Sequence, residues 1–309
     1  MNPVFVGIEI GGTKIQVVTS SHPPEIHARS RFEVARAKGA PGILDAIDSA
    51  LNNLLKGKPV AGVGIGFGGP VDWKLGQIIC SHQIEGWDGF PLSDWVRRRC
   101  QAPISLENDA NVAALAEASH GAGKGSDPVF YVTLGSGVGG GLVVSGDIYH
   151  GHIPGEAEIG HLRLDREGLI VEKSCSGWAM DRKLQTAADA YPHDPLARLI
   201  TEIDGPPAKA ILPAVEQGST LTQSILDSTA TDLAFALSHV THLVHPKTIV
   251  LGGGLSLIGE PLLSAVRKAF PTFLMKAMLP APEILSASLG EDVVPIGALS
   301  LAQKAAQTQ

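Results

Sequence analysis

Two glycine-rich turns carry the residues with the plainest chemical use. Gly11-Gly12-Thr13-Lys14 lies between two short apolar runs, residues 4–10 and 15–19. Gly135-Ser136-Gly137-Val138-Gly139-Gly140-Gly141 lies between residues 129–134 and a strand that resumes at 142–144. Successive backbone N–H groups in such a turn form an anion-binding concavity. Thr13 and Ser136 add hydroxyl donors, and Lys14 adds a positive charge. Either turn alone is also what an ordinary tight hairpin looks like. As a pair, with an acidic residue at the mouth of one, they read as a grip on a polyphosphate. A third segment, Glu107-Asn108-Asp109, precedes an alanine-rich helical run at 110–118. Asn or Asp there is a good N-cap. A carboxylate at that place is therefore either a plain cap or a poised group that the helix N-terminus keeps ionised.

Other groupings have simpler explanations. Gly64-Gly66-Gly69 and Gly135-Gly137-Gly140 both match G-x-G-x-x-G. A dinucleotide site needs those glycines to open a helix. Pro70-Val71-Asp72-Trp73 follows the first set and a strand follows the second, so both fail. No G-x-x-x-x-G-K-[ST] occurs, which argues against a Walker-type NTPase. His150, His152, Glu156 and His161 could be metal ligands, but they sit in a glycine-rich loop with no fixed geometry. His239, His242 and His245 recur every third residue, as on a partly exposed helix face.

The elements that must position these groups are short strands in hairpins with helices between them. Residues 42–55 and 226–244 carry apolar positions at helical spacing, and 60–67, 103–106 and 248–251 read as strands. The last strand ends at Gly252-Gly253-Gly254, and 296–306 reads as a terminal helix. Strand, glycine turn with a hydroxyl, strand occurs twice, a degenerate repeat with one copy per domain. The class is α/β with two related halves. With 44% hydrophobic and 18% charged residues the chain can bury a full core. At a net charge of -7, and with no basic cluster interleaved with aromatics, it lacks a nucleic-acid footprint. Arg97-Arg98-Arg99 reads as the solvated end of a helix. Cys80, Cys100 and Cys175 fit neither a disulfide scaffold nor a zinc spacing. No stretch approaches the ~20 apolar residues of a spanning helix, so a soluble, cytoplasmic protein is the expectation.

The motifs together resemble the ROK (repressor, open reading frame, kinase) family of sugar kinases, in family order from residue 4 to about 300. Gly7-Ile8-Glu9-Ile10-Gly11-Gly12-Thr13-Lys14 resembles its first phosphate motif and Leu134 to Gly141 its second. Glu107-Asn108-Asp109-Ala110-Asn111 matches the catalytic segment, Glu158-Ile159-Gly160-His161 the sugar signature, and Val250-Leu251-Gly252-Gly253-Gly254 the adenosine motif. The resemblance implies the actin-like ATPase (ribonuclease H-like) fold, with two α/β domains and a cleft between them. The expected division is 1–112 plus 297–309 against 113–296. The resemblance further implies ATP-dependent phosphorylation of a hexose at its 6-hydroxyl. Asp109 would be the base. Gly69, Asn108, Asp109, Glu158, His161 and Glu172 would contact the sugar. Gly11, Gly12, Thr13, Lys14, Gly135, Ser136, Gly137, Gly252, Gly253 and Gly254 would hold ATP. Glucose is the best single sugar, with fructose, N-acetylmannosamine, N-acetylglucosamine and allose open. A homodimer is usual in the family.

Two departures stand out. Glu9 occupies the place of the family's Asp, which helps hold Mg²⁺, often through water; Mg²⁺ is still expected because a nucleotide triphosphate needs its charge neutralised. Many members carry three cysteines before the last sugar-contacting Glu, with the sugar-binding His as fourth zinc ligand. Here the aligned residues are Arg163, Asp165 and Ile170, so no structural zinc is expected. Ion pairing among Arg163, Asp165, Arg166 and Glu167 is the expected brace instead. A sugar-responsive repressor of the same family is the competing function. Those members place a helix-turn-helix before the first phosphate strand, and here that strand begins at Val4. A metal-dependent hydrolase would leave the paired turns and Glu107-Asn108-Asp109 unexplained.

Overall fold

The computed structural model describes residues 3–81 and 84–307. The chain divides into two compact units. One comprises Met1–Gly125, Gly141–Glu156 and Leu289–Gln309, and the other Ser126–Gly140 and Ala157–Ser288.

The first unit is built on a mixed sheet. β1 (Val4–Ile10) and β2 (Lys14–Ser20) form the antiparallel hairpin around the first glycine turn, with Ile10 opposite Ile15. β3 (Ala28–Glu33) extends it. After α1 (Gly39–Leu55), β4 (Val60–Phe67) runs parallel to β1. A short hairpin of two-residue strands, β5 (Val71–Asp72) and β6 (Gln77–Ile78), leads to α2 (Leu92–Cys100). β7 (Ile104–Asn108) then joins β4 in parallel and runs directly into α3 (Asp109–His120). The order is β3-β2-β1-β4-β7. α1 buries Ile43, Ile47, Ala50 and Leu51, the stripe that its 3.6-residue period places on one side. These side chains join Ile8, Ile10, Ile15, Ile65, Phe67 and Trp87 in the core.

Three glycines at alternate positions of β4 share one face of the strand. The terminal helix (Val293–Gln307) lies against that face. A Cβ on Gly62 would sit 2.3 Å from the carbonyl oxygen of Ala302, and one on Gly64 2.0 Å from that of Ala298. On Gly66 it would meet Val294 Cγ1 at 2.7 Å. Gly297 on the helix makes the reciprocal approach, 2.1 Å from the Val112 carbonyl oxygen of α3. The glycine pattern in β4 is thus a helix seat.

The second unit holds β8 (Val129–Leu134), the start of β9 (Val138–Val144), α4 (Val171–Cys175) and α5 (Gly177–Ala190). After α6 (Pro195–Glu202), α7 (Ile211–Glu216) and the long α8 (Thr220–Val244) come β11 (Thr248–Gly252), α9 (Glu260–Ala269) and β12 (Glu283–Ser286). β8, β11 and β12 are parallel. The sheet order is β10-β9-β8-β11-β12, in which β10 (Asp147–Ile148) pairs with Val143 and Val144. β9 begins at Val138, four residues before the expected strand at 142–144. The glycines are strand residues because neighbours need the space. A Cβ on Gly140 would meet the Ala157 carbonyl oxygen at 2.5 Å, and one on Gly141 the Ala110 carbonyl oxygen at 2.9 Å.

Gly64→Ala tests the helix seat. The intruding methyl group forces the terminal helix off β4, and the unfolding free energy drops by about 2–3 kcal/mol, read by denaturant titration. Val63→Ala, which empties core volume on the opposite face, serves as the comparison.

Candidate functional site

In the first unit the turn from β7 into α3 is set by Asn108. Its backbone is extended, and its side-chain oxygen accepts from the Ala110 amide at 2.9 Å, so Asn108 is the N-cap. Its Nδ2 donates to the Gly69 carbonyl oxygen at 3.1 Å. Asp109 is the first helical residue. A Cβ on Gly68 would lie 3.3 Å from Asp109 Oδ2, 3.4 Å from the Ile10 carbonyl oxygen and 3.6 Å from Gly11 Cα. The Asp109 carboxylate and the start of the first glycine turn therefore meet over one glycine. Four expected site residues, Gly11, Gly69, Asn108 and Asp109, come together here around Gly68.

The first turn closes when the Gly11 amide donates to the Lys14 carbonyl oxygen at 3.0 Å. Thr13 is exposed and Lys14 half-buried. Behind the turn Glu9 is buried. It accepts from Gln16 Nε2 at 2.7 Å and lies 3.4 Å from Lys14 Nζ. Burial raises the Glu9 pKa, opposed by Lys14 and by the Gln16 hydrogen bond. Gln16 Oε1 is buried with no hydrogen-bond partner among the described residues. A buried carboxylate beside an unsatisfied amide oxygen is a hard-oxygen pair that fits a hydrated Mg²⁺. Glu9 and Gln16 are the residues that would hold it, through water.

The second unit carries the other expected groups. In the second turn the Gly135 amide donates to the Gly137 carbonyl oxygen at 3.0 Å, and the Gly177 amide donates to the Gly135 carbonyl oxygen at 2.7 Å. Ser136 is exposed. Gly252 and Gly253 pack beneath this turn: Cβ atoms there would meet Tyr131 Oη at 2.3 Å and the Leu134 backbone at 2.6 Å, while Gly254 faces open space. Gly252 and Gly253 are thus required by close packing against Tyr131 and Leu134, and of the three only Gly254 borders open space. Glu172 Oε2 accepts from the Val138 amide at 3.1 Å, so this carboxylate also fastens the second turn. Glu158 and His161 are exposed at the two ends of one short turn, joined by the His161 amide to the Glu158 carbonyl oxygen at 3.0 Å.

The loop between His161 and Glu172 is closed by backbone, which corrects the expected ion pairing. Arg163 and Ile170 pair as an antiparallel bridge. Leu164 N donates to the Leu169 carbonyl oxygen at 2.8 Å and Val171 N to that of Leu162 at 3.0 Å. Asp165 Oδ1 caps the bend, accepting from the Gly168 and Leu169 amides at 2.8 and 2.9 Å. A short carboxylate satisfies two turn amides locally, which long exposed ion pairs do not. Two of the three positions that align with cysteines thus form a strand pair, and the third caps its turn. α4, which carries Glu172, is pinned from behind. Lys183 Nζ donates to the Ser174 carbonyl oxygen at 3.0 Å and to Thr229 Oγ1 at 2.9 Å, and Ser174 Oγ donates to Asp232.

The rival metal cluster disperses. His150 Nε2 lies 2.8 Å from Glu107 Oε1, Glu156 Oε1 accepts from Asn111 Nδ2 at 2.6 Å, and His152 Nδ1 lies 2.7 Å from the Ile153 carbonyl oxygen. Among the described residues no group of three or more His, Cys, Asp or Glu side chains could hold a metal ion. His239 packs edge-on against Phe235, with centroids 4.6 Å apart, and His242 Nε2 accepts from the Met275 amide. Both are surface helix residues, as their spacing implies. No described helix is long and apolar enough to cross a membrane.

Each unit pairs a β-sheet with flanking helices and presents a glycine turn between two strands, an α/β architecture. Comparison with known proteins narrows this. The ROK family model matches residues 5–305. A glucokinase of Streptomyces coelicolor is 31% identical over 312 residues, covering 97% of each chain. The crystal structure of a ROK family glucokinase from Streptomyces griseus, in complex with glucose and AMPPNP, superposes with a TM-score of 0.83 at 33% identity, covering 97% of this chain and 99% of that one. A putative xylose repressor of Caldicellulosiruptor is 23% identical, over 86% of this chain and 69% of its own length. The fold is that of the actin-like ATPases. The chain belongs to the ROK family.

Asp165 and the backbone bridge close the loop with hydrogen bonds of its own. Elemental analysis is expected to find well under one zinc per chain, and EDTA to leave the melting temperature unchanged. Asp165→Ala, which strips two amides of their acceptor, lowers stability by about 1–2 kcal/mol.

Proposed function

We propose that the protein is an ATP-dependent hexose kinase that phosphorylates the 6-hydroxyl of glucose, with Asp109 as the general base. The observation that carries this reading is the meeting of the Asp109 carboxylate with the Gly11 turn over Gly68. Phosphoryl transfer asks a protein mainly for positioning and charge neutralisation. A carboxylate beside a phosphate-holding turn supplies the one proton acceptor the sugar hydroxyl needs. In the step proposed, the hydroxyl proton passes to Asp109 as the sugar oxygen bonds to the terminal phosphorus. The phosphorus–oxygen bond to the departing ADP breaks at the same centre.

The chain's own residues divide the remaining work. Asn108 and the Gly69 backbone fix one side of the sugar, and Glu158, His161 and Glu172 supply further partners for its hydroxyls, each of which wants one when buried. Gly11, Gly12, Thr13 and Lys14 hold phosphate in the first unit. Gly135, Ser136 and Gly137 do so in the second, with Gly252, Gly253 and Gly254 toward the adenosine. Glu9 and Gln16 would hold Mg²⁺, which neutralises triphosphate charge when bound. Support for glucose comes from the glucokinase relatives and from the neighbour that binds glucose and AMPPNP. The competing reading, a sugar-sensing regulator, draws on the repressor relative.

A coupled ADP-release assay over a panel of hexoses decides between them. Turnover is expected with glucose, and sugar binding with no ADP release for any hexose would favour the regulator. Asp109→Asn is expected to lower kcat by about 10²–10⁴-fold while the sugar Kd stays within about threefold. Near-normal turnover in that variant would remove Asp109 as the base.

A further inference from the structure

His150 has a place in the first unit that the phosphoryl-transfer reading does not use. Its Nε2 lies 2.8 Å from Glu107 Oε1. Its ring stacks on the indole of Trp73, with centroids 4.0 Å apart and planes 24° from parallel. Glu107 is buried on β7, the residue directly before Asn108 and Asp109. Trp73 follows β5, three residues beyond Pro70 and four beyond Gly69, the residue whose carbonyl accepts from Asn108. One imidazole thus touches both chain segments that form the corner at Asp109. The buried Trp73 Nε1 finds no hydrogen-bond partner among the described residues. The placement of Trp73 rests on packing, on the stack with His150 and on Lys74, whose ammonium lies over the ring.

We propose that His150 is a positioning residue for the transfer reaction, a cationic link that holds β7 and the Gly69–Trp73 segment together so that Asp109 keeps its orientation. The proposal rests on the reading of Asp109 as the base. A protonated imidazole suits both contacts at once. It donates a charge-assisted hydrogen bond to a buried carboxylate and presents a cation to an aromatic face. The neutral ring keeps one donor and loses the charge, which leaves Glu107 buried without a counterion.

The surrounding charges favour the proton. Glu107 and Glu156 face His150 with negative charge, and Lys74, which lies 5.1 Å over the Trp73 ring, opposes them. Burial lowers the His150 pKa, but the hydrogen bond to Glu107 and the two carboxylates outweigh it, and the net shift is upward. Burial raises the Glu107 pKa too, so both members of the pair hold protons more tightly in the folded protein. The link therefore exists in a window: it weakens as pH rises through the raised His150 value, and it is lost on the acid side as pH falls through the raised Glu107 value.

The pH dependence of kcat tests the link. For the wild-type enzyme, kcat is expected to fall on the alkaline side as His150 loses its proton. His150→Arg, whose guanidinium does not titrate in this range, is expected to keep activity and lose that alkaline limb. His150→Gln is expected to lower kcat by about 10–100-fold at neutral pH, to show no limb, and to leave the nucleotide KM unchanged. NMR titration of the His150 ring adds a readout on folded protein without turnover: Glu107→Gln is expected to lower its pKa by about one unit or more. Arg and Gln variants that retain wild-type kcat and the wild-type alkaline limb would overturn the proposal, as would a His150 titration indifferent to Glu107→Gln. Failure of the general-base reading shows separately, as turnover that survives Asp109→Asn.

Discussion

A single amide side chain governs the geometry of the first unit's chemistry. Asn108 caps α3 with its oxygen and grips the Gly69 carbonyl with its nitrogen. Because it does the capping, the next carboxylate along the chain, Asp109, falls on the first helical residue. Because it grips Gly69, the chain leaving β4 is tied to the chain leaving β7. Those two strands are parallel neighbours, with Phe67 opposite Asn108, so their carboxyl ends reach the same level. In open α/β sheets such ends are where ligands bind.

That corner in turn depends on how closely helices can approach the sheet. α3 and the terminal helix meet where Gly297 has no side chain, and the terminal helix meets β4 where Gly62, Gly64 and Gly66 have none. Backbone-to-backbone packing of this kind leaves little slack. Close-packed interiors transmit displacement readily, so a shift of the terminal helix moves α3, and with it the Asp109 end.

Much of this was legible in the sequence, because the signals were local. Apolar runs on either side of Gly11-Gly12 and of Gly135-Ser136-Gly137 gave both hairpins, and β1 and β4 run over the residues that the pattern assigns to them. The glycines of β4 were legible as an anomaly but not as a helix seat, since their partners lie more than 200 residues away. The same distance problem hid the His150 link. His150 and Glu107 are 43 residues apart, and periodicity does not report such a contact. The loop at 162–171 failed for a different reason. Its charged residues read as ion pairs, whereas a carboxylate one turn from a glycine at φ 106° satisfies backbone amides more cheaply.

The way that loop is shut has a physiological reach. A bend fastened by peptide groups and one aspartate contains no thiol to oxidise. Cys175 just beyond it is buried, its thiol pushed up to about 12 and so far from the reactive thiolate form. The hydrogen bonds that shape this segment thus use no sulfur, whereas a thiolate-and-zinc clasp would tie the same loop to the redox state of its cysteines.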